Sequence, residues 1–170
     1  MMKKNNGGFM LVELVIVSAV VILSMVSLYT GFNKVYIAYN ERSRYYSIDC
    51  LYAGEAIKNL FIDEYRLVSI VNDVSTYKDV VSYCFLDDAF SNYCKAIYER
   101  YNIDSMYLVR YSKDNVNSLK SYRSTDNSLG KYLDVFLKSS DNKDNDVYII
   151  VKDKNDFFAN VLVVGNDEIR

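Results

Sequence analysis

Hydrophobic residues are concentrated near the start of the chain, where no charged residue occurs from Leu14 to Asn33. Roughly twenty such residues in an α-helix extend about 30 Å, the thickness of the hydrocarbon core of a bilayer. A secretory signal peptide has a shorter apolar segment, of about 7 to 15 residues, and ends at a small-residue cleavage site. Residues 29–34 contain no Ala-x-Ala pattern. The pattern therefore predicts a membrane-spanning helix.

A second hydrophobic pattern continues beyond this segment. Apolar or small residues recur at alternating steps of four and three, as on one face of an amphipathic helix. This face consists of Phe32, Tyr36, Tyr39, Ser43, Tyr46, Cys50, Ala53, Ile57 and Leu60. Polar residues such as Glu41, Arg44 and Lys58 fall on the opposite face. The spacing predicts one continuous helix from about Phe9 to about Ile62, roughly 80 Å long.

After Asp63 the pattern becomes that of a small globular head. The predicted elements are one helix or two short ones over 77–101, a strand over 106–111, a short helix over 128–137, and an antiparallel hairpin of strands over 147–151 and 158–164. Asp126 or Asn127 is available to cap the helix, and 139–146 is a polar connector. The predicted fold class is α+β: a long N-terminal helix, transmembrane in its first half and amphipathic in its second, packed on a head with an antiparallel sheet.

A motif precedes the apolar segment. Lys3 and Lys4 are followed by Gly8, Phe9, three apolar residues and Glu13. This segment resembles the prepilin N-terminal cleavage and methylation signature, which combines a basic leader, a Gly-Phe junction, a glutamate and a long apolar helix. The chain is therefore similar to the type IV pilin-like and pseudopilin family. The resemblance covers the leader and the start of the long helix, and the head carries no signature of a subfamily.

The resemblance implies both processing and function. In this family a prepilin peptidase cleaves after the glycine, here Gly8, and methylates the new N-terminal amine, here that of Phe9. Glu13 would then pair with the amine of a neighbouring subunit that enters the filament. The implied function is that of a structural subunit of a type IV pilus-like filament, with no catalytic activity and no cofactor. The implied partners are the prepilin peptidase, other pilin subunits, the pilus assembly platform and the membrane.

The chemistry of these residues agrees with those roles. A glutamate inside a membrane-spanning helix costs several kcal/mol unless it is paired, so Glu13 requires a partner. Its carboxylate also lies near the positive end of the helix dipole. Gly8 has no Cβ, which lets a protease approach the backbone closely. A plain single-span anchor, the simpler interpretation, gives no reason for the glutamate.

The implied organisation has four segments and two locations. The segments are a leader (1–8), a transmembrane and assembly helix (9–33), an amphipathic helix continuing into the head (34–62) and the α+β head (63–170). The chain would first be a single-pass protein of the inner or cytoplasmic membrane with an exported head, and then part of an extracellular or periplasmic filament. Major pilins commonly carry a helix-breaking proline where this chain has Thr30, which favours a minor pilin or pseudopilin. A motility pilus, a competence pilus and a secretion pseudopilus all remain open.

Composition argues against an enzyme. The chain contains no histidine, which is the commonest general base and metal ligand. A Ser or Cys nucleophile would need another base, and the sequence offers no such pair. The formal net charge of -2 gives no general electrostatic attraction to nucleic acid.

Three cysteines allow one disulfide in an exported domain. On one unbroken helix, Cys84 and Cys94 would lie about 15 Å apart, beyond the roughly 7 Å Cα limit for a bridge. A bond between them therefore requires a break, for which Asp87 and Asp88 are the best position. Unpaired, buried cysteines, including Cys50, are the other interpretation. Three cysteines without histidine make a poor zinc site.

Two polar segments are candidate binding sites in the head. Asn142, Asp144 and Asp146 alternate as calcium ligands do, but the glycine and the glutamate of a calcium loop are missing, so a polar turn is favoured. A second segment carries the basic residues Arg110, Lys113, Lys120 and Arg123, with tyrosines interleaved. It suggests an alternative function as a DNA- or surface-binding adhesive pilin of a competence-type pilus. A solvated surface is the favoured interpretation of that segment.

Overall fold

A computed structural model of the chain describes residues 7–43, 45–63, 67–84, 89–139 and 142–165. The chain divides into two compact units, Met1–Ser43 and Arg44–Arg170. In the described part of the first unit there is one helix, α1 (Gly7–Ser43). The second unit is a head in which helices flank an antiparallel sheet. The predicted α+β class, with a long apolar N-terminal helix and a small head, is confirmed.

The head contains six helices and four strands among its described residues. The helices are α2 (Ile48–Asp63), α3 (Leu67–Asp73), α4 (Val81–Cys84), α5 (Ala89–Arg100), α6 (Lys113–Tyr122) and α7 (Asn127–Leu137). The strands are β1 (Tyr77–Asp79), β2 (Ile103–Arg110), β3 (Val147–Asp153) and β4 (Phe158–Val164). They form one sheet in the order β1-β2-β3-β4, and each neighbouring pair is antiparallel.

Several elements lie where local patterns predict them. The hairpin of β3 and β4, strand β2 and helix α7 all match the predicted segments within a few residues. Asp126 caps α7, because its side chain accepts a hydrogen bond of 3.0 Å from the backbone N–H of Leu129. Helix α6 was not predicted, although Ser112 caps it in the same way by accepting from the N–H of Asn115. Ser112 was therefore the feature of the sequence that could have indicated the start of α6.

The prediction of helix throughout 77–101 is wrong at its beginning. Tyr77 and Asp79 belong to β1, where they pair with Val109 and Tyr107 of β2. Pairing with a distant strand therefore outweighs the local helical pattern. The proposed break at 87–88 lies outside the described residues.

The prediction of one continuous helix from Phe9 to Ile62 is also wrong. Helix α1 ends at Ser43 and α2 begins at Ile48, and residues 45–47 are not helical. Their backbone instead pairs with β4: Phe158 N–H donates to the carbonyl of Tyr45, and Ser47 N–H donates to the carbonyl of Phe158. Ser47 then caps α2, since its hydroxyl oxygen accepts from the N–H of Cys50. A tertiary contact interrupts a pattern that is helical by spacing.

The sheet separates two hydrophobic cores. On one face, α2 packs against β3 and β4 through Cys50, Ala53, Ile57 and Phe61, all of which are fully buried. This confirms the predicted apolar face for the part of it that lies in α2. On the other face, α6 and α7 cover Tyr107, Val109, Tyr148, Ile150 and Phe158. The head thus has its own core on each side of the sheet.

Helix α2 approaches the sheet closely at Gly54, and we expect Gly54→Ala to destabilise the head. A Cβ there would lie 2.7 Å from Cγ2 of Val161 and 3.2 Å from Cγ2 of Val151. Both neighbours are buried, β-branched and fixed in the core. The expected net loss is about 1 kcal/mol, because overpacking costs about 1–3 kcal/mol while alanine gains about 1 kcal/mol in helix propensity.

Gly130→Ala in α7 is the matched control. A Cβ at Gly130 would make only ordinary contacts, the nearest at 3.6 Å with the side chain of Lys120. Only the propensity gain of roughly 0.5–1 kcal/mol then remains, so this variant should be more stable than the wild type. Chemical unfolding followed by circular dichroism measures both. Equal stability of the two variants would contradict the proposed close contact at Gly54.

Candidate functional site: the N-terminal helix

Helix α1 contains all three residues of the motif. Gly8 and Phe9 lie in its first turn, and Glu13 follows one turn further along and is exposed. No basic side chain among the described residues lies within ion-pair distance of Glu13. Helix ends fray, and two consecutive glycines are poor helix formers, so the Gly8–Phe9 bond lies at the part of α1 that unwinds most easily. Among the described residues, Glu13 therefore has no cationic partner, and the Gly8–Phe9 bond precedes it by one turn of α1.

The remainder of α1 is long and apolar enough to cross a membrane. This segment, Leu11–Ile37, has 27 residues, and its most apolar stretch of 18 residues has a mean hydropathy of 2.6. None of the segment is buried within the protein. At 1.5 Å per residue it extends about 40 Å, more than the roughly 30 Å of a hydrocarbon core. Glu13 is the one charged residue between Phe9 and Asn33. The length and composition are those of a single-pass anchor.

Polar side chains inside this segment are satisfied locally. The hydroxyl groups of Ser18, Ser24 and Thr30 donate to backbone carbonyls one turn earlier, at 2.9 Å, 2.8 Å and 2.9 Å. A hydroxyl bonded in this way needs no water, so it can face lipid or another helix at little cost. The helix also continues unbroken through Thr30 and Gly31, where major pilins commonly have a proline.

Arg110, the first residue of the basic segment for which DNA binding was the alternative interpretation, has a structural role. Its Nε donates to the carbonyl of Val74 at 2.9 Å, and one of its terminal nitrogens donates to the carbonyl of Val71 at 2.8 Å. The other terminal nitrogen lies 3.5 Å from the carbonyl of Asn145. The guanidinium therefore joins the end of α3 to the sheet and is not presented to a ligand.

Two of the remaining basic residues are also engaged within the head. Lys120 pairs with Asp134 at 2.6 Å, and Arg123 lies 3.5 Å from Asp79 and against the ring of Tyr122. Lys113, at the start of α6, is exposed. The four cations therefore do not form a common surface of free positive charge.

The calcium candidates do not converge on a point. The side-chain amide of Asn142 donates to the carbonyl of Phe136 at 2.8 Å, and the carboxylate of Asp146 is buried near the hydroxyl of Tyr148. Asp144 is exposed. Among the described residues, no group of three or more His, Cys, Asp or Glu side chains is arranged to hold a metal ion.

Cys84 and Cys94 form a disulfide, with their Cα atoms 5.5 Å apart. Helix α4 ends at Cys84, and α5 begins at Ala89, so the two cysteines lie on separate helices, as a bond between them requires. Cys50 is a buried free thiol whose Sγ lies 3.4 Å from the carbonyl of Phe157. Burial raises the pKa of this thiol to about 11, so it stays protonated at neutral pH.

An ionic cluster that sequence reasoning missed surrounds Lys152 of β3. The Nζ of Lys152 lies 2.6 Å from Asp126, 3.0 Å from Asp156 and 3.8 Å from Asp104. The hydroxyl oxygen of Ser128 lies 2.7 Å from a carboxylate oxygen of both Asp126 and Asp156. Lys152, Asp126, Asp156 and Ser128 line a polar cleft of about 650 Å³ at the start of α7. A lysine within an otherwise buried strand was the signal, since a buried charge is nearly always paired.

Comparison with known proteins finds no relative. No protein-family model, no curated protein and no solved structure matches the chain.

Proposed function

We propose that this chain is a structural subunit of a type IV pilus-like filament, as a minor pilin or pseudopilin. A prepilin peptidase removes residues 1–8 and methylates Phe9. Helix α1 then holds the subunit in the cytoplasmic membrane as a single-pass protein and later packs in the filament, where Glu13 pairs with the amine of a neighbouring copy. The head has no catalytic role in this proposal.

One observation carries the proposal: a long helix with no buried residue in its apolar segment begins with the order Gly8, Phe9, Glu13. A soluble protein would not leave this much apolar surface exposed. A plain membrane anchor would explain the apolar surface but not the carboxylate at its start. A helix that leaves lipid to pack against other helices in a filament accounts for the apolar surface. The amine of a neighbouring subunit, which would pair with each glutamate, accounts for the carboxylate.

The alternative of a DNA- or surface-binding adhesive pilin has less support. DNA binding depends on basic side chains that can release the counterions of phosphate groups. Arg110, Lys120 and Arg123 are already engaged with carbonyls or carboxylates of the head. Lys113 alone does not make a binding surface.

Processing is the direct test. We expect coexpression with a prepilin peptidase to give a mature chain that begins at N-methylated Phe9, because the leader presents the Gly8–Phe9 bond at the cytoplasmic face of the membrane. Intact-mass and N-terminal peptide spectra measure the product. Cleavage within residues 29–34, or no cleavage, would contradict the proposal.

A pair of glycine variants makes this test specific. Gly8→Val places a branched side chain next to the bond to be cut and should abolish cleavage, since the peptidase must approach the backbone closely. Gly7→Val adds the same side chain one residue earlier and should be cleaved. Equal processing of the two variants would mean that Gly8 does not mark the cleavage position.

A further inference from the structure

Strand β4 lies at an edge of the sheet, and its outer side is only partly paired. The sheet order places β3 on one side of β4. On the outer side, Phe158 exchanges backbone hydrogen bonds with Tyr45 and Ser47, and the described residues place no further strand along this edge. The backbone groups of alternate residues point to the same edge of a strand. Those of Asn160 and Leu162 therefore point outwards, as those of Phe158 do.

This part of β4 is suited to pairing with another strand. The strand has seven residues and contains neither a charged residue nor a proline, and Leu162 is 43% exposed. An uncharged edge strand with outward N–H and C=O groups is a template for a strand of another chain. The opposite edge differs, because β1 has only three residues and two of them are Lys78 and Asp79.

A second copy of β4 offers the complementary pattern. In an antiparallel pair with Val161 opposite the same residue of the second copy, Asn160 of each chain faces Leu162 of the other. Their N–H and C=O groups then exchange hydrogen bonds in both directions, and no like charges face each other across the pair. This register requires the carbonyl of Leu162 in both copies.

Within the head, Lys58 of α2 occupies that carbonyl. Its Nζ donates to the carbonyl oxygen of Leu162 at 2.8 Å, and its side chain is partly buried. Helix α2 packs against β4, which holds the lysine beside the edge. A second strand would have to displace this hydrogen bond and take the ammonium group out of water, and burying an unpaired charge is costly.

We infer that Lys58 closes the free edge of β4 to a second copy of the chain and so prevents the heads from pairing edge to edge. The closure itself does not depend on the proposed function. Its use does, because a filament subunit has other copies of itself as neighbours, and unguarded β4 edges would join their heads to one another.

Lys58→Met tests the inference in the full chain, purified with an excess of detergent micelles. Methionine keeps a long unbranched side chain but cannot donate to the carbonyl of Leu162, whereas Lys58→Arg keeps a charged donor. Lys113→Met is the matched control, because Lys113 is exposed on α6, which packs against β1 and β2. Sedimentation over a range of concentrations measures association, and hydrogen–deuterium exchange reports on the backbone amides of Asn160 and Leu162. Association through α1 is common to all variants, so the comparison is with the wild type.

Lys58→Met should raise the association constant at least about tenfold, which corresponds to about 1.4 kcal/mol. It should also slow exchange of the Asn160 and Leu162 amides, because both become hydrogen-bonded between copies. In the wild type, Lys58→Arg and Lys113→Met, these amides should exchange rapidly. Adding Leu162→Lys to Lys58→Met should restore the behaviour of the wild type, because a charged side chain on an edge strand opposes pairing.

A folded Lys58→Met chain that sediments as the wild type does overturns the inference. Association without slower exchange at Asn160 and Leu162 also overturns it, since the copies then meet at another surface. Slow exchange of both amides in the wild type means that the edge is already paired, and overturns it as well. If circular dichroism shows that Lys58→Met does not fold, Lys58→Ala, which also lacks the donor, is judged by the same outcomes.

Discussion

Glu13→Val should remove the chain from filaments while leaving its membrane insertion and its cleavage after Gly8 intact. The substitution removes the carboxylate that would pair with the amine of an incoming subunit, so that amine is left unpaired in an apolar surrounding. Loss of one partner of a buried ion pair costs on the order of 3–5 kcal/mol per subunit. Insertion into the membrane becomes easier, if anything, because a charge is lost from the apolar segment.

The measurement compares sheared filaments with membranes from cells that express the variant beside the wild type. Leu14→Val is the matched control, because it changes an exposed apolar side chain next to Glu13 and leaves the charge in place. It should enter filaments as the wild type does. If a processed Glu13→Val chain is incorporated to the same extent, Glu13 does not guide assembly, and the proposed role of the motif fails at this residue.

Lys152→Met should destabilise the head far more than the loss of a lysine from an exposed ion pair. The side chain of Lys152 is 11% exposed, and its ammonium group forms ion pairs with Asp126, Asp156 and Asp104. Methionine fills much of the same volume but leaves these carboxylates facing one another. The expected loss is on the order of 2–4 kcal/mol, within the usual range for removing one partner of a buried charged pair.

Two further variants separate charge from packing in that experiment. Lys120→Met removes an ion pair with Asp134 that is about half exposed, and should cost less than about 1 kcal/mol. Adding Asp126→Asn to Lys152→Met removes one unpaired carboxylate and keeps a side chain that caps α7, so part of the lost stability should return. Equal losses for the two lysine variants in denaturant unfolding would mean that the Lys152 cluster is no more than a surface ion pair.

The same cluster predicts the direction of a pH effect. Burial by itself would raise the pKa of Asp126, but the hydrogen bonds from Leu129 N–H, Lys152 and Ser128 outweigh it and hold the pKa below its ordinary value. A carboxyl group whose pKa is lower in the folded state stabilises the fold above its unfolded pKa of about 3.9. The stability advantage of the wild type over Lys152→Met should therefore be complete at neutral pH and shrink as the pH falls below about 4.

Local spacing was sufficient for the elements that depend on a single segment. The β3–β4 hairpin follows from two β-branched runs joined by a short polar turn, and α7 follows from the cap at Asp126 and an apolar periodicity. The hairpin and α7 both depend on contacts between residues close in sequence, so a local sequence pattern is enough to predict them. The same reasoning failed for β1, because Tyr77–Asp79 becomes a strand only through its pairing with β2.

The candidate residues also differ in whether their proposed roles depend on neighbours in sequence or on distant partners. Gly8, Phe9 and Glu13 could be proposed from the sequence because the roles proposed for them depend on order along one helix. The role of Arg110 was missed because its partners, the carbonyls of Val71 and Val74, are far away in sequence. The charge of an arginine suggests a phosphate ligand, and only the fold reveals that backbone carbonyls already occupy its guanidinium.

The sequence by itself determined that this protein has an apolar helix of membrane-spanning length with a glutamate at its start. The rise per residue of a helix and the thickness of a bilayer are both fixed, so the number of consecutive apolar residues is enough to decide whether a helix can span. The tertiary structure decided where that helix ends and which charges are used internally. Residues 45–47 leave the helical path because their backbone pairs with Phe158, and Lys152 is neutralised by Asp126 from another element. Hydrogen bonds and ion pairs between distant residues depend on the closure of the whole chain, and no local pattern contains that information.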